Sequence, residues 1–167
     1  MRTPKIVLIS TVSAGVLASA GYLAVLPETA NAAPAQLVSH GVSTQEQSAA
    51  LFDQWNAALA TGDSKKVNAL YSSDALLLPT VAAEMFDTSS ERTGYFTHFL
   101  ENNPSGIITE STSKRLGPGS IENSGLYTFT MRKTGQVIPA RFTFIYEYQH
   151  GQWKIIAHHS SRVPEAN

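Results

Sequence analysis

The stretch ARFTFIYEYQHGQWKIIAHHSS, residues 140–161, decides the fold. Phe142, Phe144 and Tyr146 recur at every second position, the spacing of a strand with one buried face. The segment QHGQ (149–152) then reads as a hairpin turn, and QWKIIAHHSS (152–161) returns as a second strand. Working outward, the same signals recur upstream. GLYTFTMR (125–132) and GIITESTSKRL (106–116) are strand-like runs, and KTGQ (133–136) is another hairpin turn. The C-terminal half is therefore predicted to be a four-stranded antiparallel meander.

Before residue 104 the period changes. In STQEQSAALFDQWNAALATGD (43–63), Leu51, Phe52, Trp55, Ala58 and Leu59 recur at helical spacing. Ser43 and Glu46 form a capping box that satisfies two orphan amides reciprocally, and Gly62 stops the helix. Asp63 or Ser64 caps a shorter helix through KKVNALYSS (65–73), with Val67, Leu70 and Tyr71 on its buried side. DALLLPT (74–80) reads as a strand ending at a proline, and residues 81–89 as an irregular loop. SERTGYFTHFLEN (90–102) is a third helix with Tyr95, Phe96, Phe99 and Leu100 inward, broken by Pro104 and Gly106. The order predicts an α+β domain, three helices packed on one face of a curved, mainly antiparallel sheet.

The N-terminus is of another kind. Arg2 and Lys5 precede an apolar run from Ile6 to Leu26, and Ala30-Asn31-Ala32 offers a small-x-small cleavage site. Residues 1–32 are expected to be a signal peptide, 33–42 a linker and 43–167 the domain. The competing reading is an uncleaved membrane anchor, since the apolar run is long enough to span a bilayer. LPETA (26–30) looks like a sorting signal but precedes the domain, so it is read as the end of the leader. Removing residues 1–32 takes away Arg2, Lys5 and Glu28; ten basic and twelve acidic residues remain, a net charge of −2. No basic face of the kind nucleic acids require stands out. With no cysteine, the exported chain must be held by its core, which about 130 residues can supply.

Taken together, WNAALATGDSKKVNALYSSDALLLPT, YFTHFL, GLYTFT, ARFTFIYEYQHGQWKII and HHSSRVPE resemble the calcium/calmodulin-dependent protein kinase II association-domain family, and more narrowly its free-standing, secreted bacterial members. The resemblance runs from about Ser43 to Glu165. It implies a nuclear-transport-factor-2-like, cystatin-like (SnoaL-like) cone with a cavity between helices and sheet, and a homodimer or larger ring formed through the sheet. It implies no kinase partner, because no kinase domain is present. Large side chains on both faces of the last three strands are a second reason to expect a partner copy.

His158 and His159 pose the question of chemistry. In a regular strand adjacent residues face opposite sides, so the two cannot share one metal, and no metal and no cofactor is expected. Alternation groups Trp153, Ile155, Ala157 and His159 on the more apolar face, which favours His159 inside. The family comparison favours His158 and Ser160 inside, and that reading is taken. It also matches Met131, Phe144 and Ser160 to the pocket arginines of the kinase association domain, so an anion pocket of that design is in doubt. Arg141, opposite in phase to Phe142 and Phe144, is either a surface arginine paired with Glu147 or a partner copy, or an anion contact at the cavity mouth.

The candidate ligand-binding residues are Trp55, Tyr95, Tyr127, Phe144, His158, Ser160 and Arg141. Aromatic residues at these spacings also serve as plain core. His158 with Tyr127 is the candidate catalytic pair for isomerase, cyclase or dehydratase chemistry; Asp53 and Asp74 are better explained as solvated. Three functions stay open: a binder of a small apolar or aromatic molecule, an acid–base enzyme, and a structural oligomerisation module. Fold alone does not choose among them.

Overall fold

Eight elements follow in the expected order in the computed structural model, which describes residues 42–165. The expected signal peptide, and the linker up to its last residue, lie outside the described residues. Helix α1 (Thr44–Ala60) leads to α2 (Ser64–Asn68), β1 (Tyr71–Leu78) and α3 (Ser89–Leu100). Strands β2 (Pro104–Gly117), β3 (Ser120–Met131), β4 (Gln136–Gln149) and β5 (Gln152–Arg162) complete the chain. The sheet order is β1-β5-β4-β3-β2; the last four strands form the predicted meander and β1 joins β5 in parallel.

The helix starts follow from their caps. Ser43 Oγ accepts from the Glu46 amide while the Glu46 carboxylate accepts from the Ser43 amide at 2.8 Å. Thr88 and Glu91 repeat the device at the start of α3. Asn56 anchors α1 to the sheet, donating to the Gly106 carbonyl at 3.0 Å and accepting the Gly106 amide at 2.9 Å. On the other side, Phe52, Trp55 and Leu59 of α1 are buried against Tyr127, Phe129, Phe142 and Phe144 of the sheet.

Four local expectations are corrected. The second helix stops at Asn68 and Tyr71 opens β1, because the Ile155 amide of β5 donates to the Leu70 carbonyl and recruits the segment into the sheet. Pro104 opens β2 rather than merely breaking α3; at the first residue of an edge strand its missing N–H costs no ladder bond. Gly125 lies inside β3 instead of starting it, since a Cβ there would come within 2.0 Å of the Glu110 carbonyl oxygen. Tyr127, Phe129, Phe142, Phe144 and Tyr146 of β3 and β4 also gather on one face, leaving Leu126, Val137 and Ile145 as the large apolar side chains of the other. The opposite, outer face carries Ser124, Thr128, Thr130 and Thr143, with the Ser124 and Thr143 hydroxyls bonded at 3.0 Å.

A bulge in β5 matters most. Ile145 pairs with Ala157 but Tyr146 pairs with Ile155, which leaves Ile156 without an opposite residue. The extra residue reverses the side-chain phase, so Ile155, His158 and Ser160 are all buried while His159 is exposed. His158 therefore faces inward, as the family comparison implied. The composition argument for His159 fails because it carried Ile155's phase across the bulge.

Candidate functional site

The inner face of the sheet, α1 and α3 enclose a small chamber whose walls include Trp55, Thr80, Tyr95, Tyr127, His158 and Ser160. Its volume is about 20 Å³, room for one water-sized group. It adjoins a wider mouth of about 590 Å³ between α3, the 81–86 loop and the start of β4. The two share Val81, Tyr95, Phe99, Met131 and Ile138 as walls.

The chamber's chemistry centres on His158. Trp55 Nε1–H donates to the Tyr71 hydroxyl at 3.1 Å, and that hydroxyl lies 2.9 Å from His158 Nδ1. Tyr71 has one proton to give, and His158 Nδ1 is the acceptor in reach. With Tyr71 donating, Trp55 Nε1, the Tyr71 hydroxyl and His158 Nδ1 are all paired, and His158 carries its proton on Nε2. That Nε2 is buried and has no hydrogen-bond partner among the described residues. The imidazole stacks on Phe144, centroids 3.9 Å apart and 20° between planes, and meets the edge of Trp55 at 5.4 Å. Burial, with a smaller effect from neighbouring His159, pulls its pKa down to about 3. It is a neutral N–H donor at ordinary pH.

Beside it runs a chain of hydroxyls. Tyr127 O–H donates to Ser160 Oγ at 2.5 Å, and Ser160 in turn is bonded to Thr80. Burial pushes the Tyr127 phenol well above its usual range, so it stays protonated. The Tyr71 phenol shifts the same way for the same reason, opposed in part by the Trp55 bond.

Of the sequence-predicted residues, Trp55, Tyr95, Tyr127, His158 and Ser160 come together on the chamber wall. Phe144 stands behind the His158 ring rather than on the wall. Arg141 is corrected: it is exposed on the outer face, opposite Leu126 and Ser161, where strand alternation puts it beyond the inner cavity. Its expected partner Glu147 instead accepts from Gln149 at 2.7 Å.

Sequence reasoning missed Tyr71, Thr80 and Arg92. Arg92 is fully buried and donates to the carbonyls of Ser72 (2.7 Å), Ser73 (3.1 Å) and Ala75 (2.5 Å) and to Asn68 Oδ1 (3.2 Å). These carbonyls belong to the stretch of β1 between Tyr71 and Leu76, where its register with β5 shifts. The guanidinium also lies 5.8 Å from the Tyr71 ring centroid, so Arg92 holds the segment that places Tyr71. A signal was present: Arg92 precedes Phe96, Phe99 and Leu100 by four, seven and eight residues, on the apolar stripe of α3.

A family model for the calcium/calmodulin dependent protein kinase II association domain matches residues 44–164. A crystal structure from Xanthomonas campestris, described as such a domain, is 46% identical, covers 72% of this chain and 89% of its own, and superposes with a TM-score of 0.70. An NTF2-like protein from Pseudomonas putida KT2440 is similar in fold at 21% identity, 75% and 92% coverage and a TM-score of 0.62. A protein with a cystatin-like fold from Caulobacter vibrioides follows at 16% identity, 72% and 90% coverage and a TM-score of 0.61. None of the curated proteins matches this chain.

Proposed function

The chain belongs to the calcium/calmodulin dependent protein kinase II association domain family, and from that premise we propose that it is an exported, self-associating protein that binds a small apolar or aromatic molecule in its cone. The observation that carries the binding reading is His158 Nε2, a buried donor without a partner among the described residues, on the wall of a largely apolar chamber. An unmet buried donor is costly, and a ligand acceptor would meet it. The mouth lies within the size range of small-molecule sites and is lined mainly by apolar side chains.

Export rests on the leader-like residues 1–32. Self-association through the outer sheet face, as a homodimer or a larger ring, rests on the family. The Ser- and Thr-rich middle of that face, with exposed Leu126 and Val137, is flat enough in side-chain size for two sheets to approach.

The second reading, an acid–base enzyme, is favoured by the buried Tyr71–His158 contact. It is the weaker one. A base needs a pKa near the working pH, and burial takes His158 far below it; no carboxylate is on the chamber wall.

Native mass spectrometry of protein purified from its own secretion medium tests the proposal. The expected result is an oligomer carrying a co-purified small molecule, one per chain, that the His158→Ala variant fails to retain. A monomer without a bound molecule, from a chain that starts at Met1, contradicts it.

A further inference from the structure

We infer that the chamber seats a neutral carbonyl oxygen, so that the ligand is an uncharged ketone, aldehyde or amide on an aromatic or alicyclic body, and neither a carboxylate nor a plain hydrocarbon. The inference rests on the binding reading above and narrows it to a chemical class.

Three observations carry it. First, the chamber presents protons. Tyr71 fills His158 Nδ1, and Nε2–H meets no acceptor among the described residues. Tyr127 donates to Ser160, and Ser160 and Thr80 share one further hydrogen bond in which either hydroxyl can donate, so one proton of that pair is left to give. Two donors beside one small space match an oxygen with two lone pairs.

Second, no cation faces that space. The chamber wall holds no lysine or arginine. Arg92 already gives its protons to four oxygens, and Arg141 is exposed on the outer face. A carboxylate moved from water into such a site loses more hydration than two neutral donors return, whereas a carbonyl exchanges its water hydrogen bonds for protein ones.

Third, the sizes agree. About 20 Å³ admits one oxygen-sized group, while about 590 Å³ of mouth, lined by Val81, Phe86, Phe99 and Ile138, takes the apolar body. An alcohol fits the space but brings a proton of its own to a wall of donors.

The test is isothermal titration of the full protein with four probes that share one body: 2-acetylnaphthalene, 2-ethylnaphthalene, 1-(2-naphthyl)ethanol and 2-naphthoate. The ketone is expected to bind about tenfold more tightly than the hydrocarbon, the worth of one good buried hydrogen bond, with the alcohol between them and the carboxylate weakest. In His158→Phe, which keeps the ring against Phe144, the ketone and hydrocarbon should bind alike. If that variant does not fold, Thr80→Val should narrow the same gap. Naphthoate binding most tightly, or ketone matching hydrocarbon or alcohol in the native protein, overturns the carbonyl assignment while the binding reading stands. Failure of all four probes also overturns it, and the co-purified molecule then decides the binding reading by itself.

Discussion

The Tyr71 hydroxyl lies 2.9 Å from Nδ1 of His158, joining the first residue of β1 to the parallel strand beside it across 87 positions of sequence. That contact fixes which imidazole nitrogen carries the proton. Tyr71→Phe should leave Trp55 Nε1–H and His158 Nδ1 without their partner and destabilise the fold by about 1–3 kcal/mol, the cost of stranded buried polar groups. Urea unfolding measures the loss. ¹⁵N spectra of the histidine ring should show one Nε2–H tautomer in the native protein and a mixture in the variant; an unchanged spectrum would refute the proton assignment.

His158 also makes stability depend on pH. Its pKa is about 3 in the fold against 6.5 in the unfolded chain. Between those values the unfolded chain binds a proton that the folded chain does not. The stabilisation is therefore complete above pH 6.5 and is lost as pH falls toward 3. The slope approaches about 1.4 kcal/mol per pH unit inside the window. Urea stability of the native protein should fall more steeply between pH 6.5 and 4.5 than that of His158→Phe. Parallel curves would show that the folded protein accepts the proton.

Arg92 should be among the most sensitive positions of the helices. Arg92→Met removes the donors of three β1 carbonyls and Asn68 Oδ1, at an expected cost of about 2–4 kcal/mol. Arg92→Lys should recover part of this, because an ammonium has three donors but no planar fork. Loss of the clamp should also disturb Tyr71, so the His158 ring signals should move in both variants. A stability loss with those signals unmoved would leave Arg92 as a plain structural residue.

The element order was legible because local chemistry writes it: the capping box at Ser43, alternation in Phe142–Tyr146, and glycine at the hairpin turns. What stayed hidden depends on partners distant in sequence. Tyr71 reads as helix until β5 supplies the Ile155 amide for the Leu70 carbonyl. Gly125 reads as the start of a strand until the Glu110 carbonyl is seen against it. The chamber was half visible. Its aromatic walls follow from alternation, but the Trp55–Tyr71–His158 chain needs three elements brought together, and the bulge at Ile156 is invisible to a period-two count.

The two adjacent histidines give the sharpest separation of roles. His158 is buried in the chamber wall, and His159 is exposed on the outer face opposite Thr143 of β4 and Leu78 of β1. With assembly proposed through that face and ligand through the chamber, each substitution should touch one property. His159→Ala should weaken self-association several-fold, as read from the mass by light scattering over a dilution series, and leave the affinity for a chamber probe unchanged. Truncating one residue of an interface commonly costs around 1 kcal/mol, or about fivefold in affinity. His158→Phe should reverse the pattern, keeping the mass and losing the preference for the probe's oxygen. The design works because neighbouring strand residues point to opposite faces, so one position of sequence separates two surfaces. If both variants alter stability alone, neither face has the role proposed for it. If His158→Phe dissolves the assembly while His159→Ala spares it, the sheet associates by some surface other than its outer face.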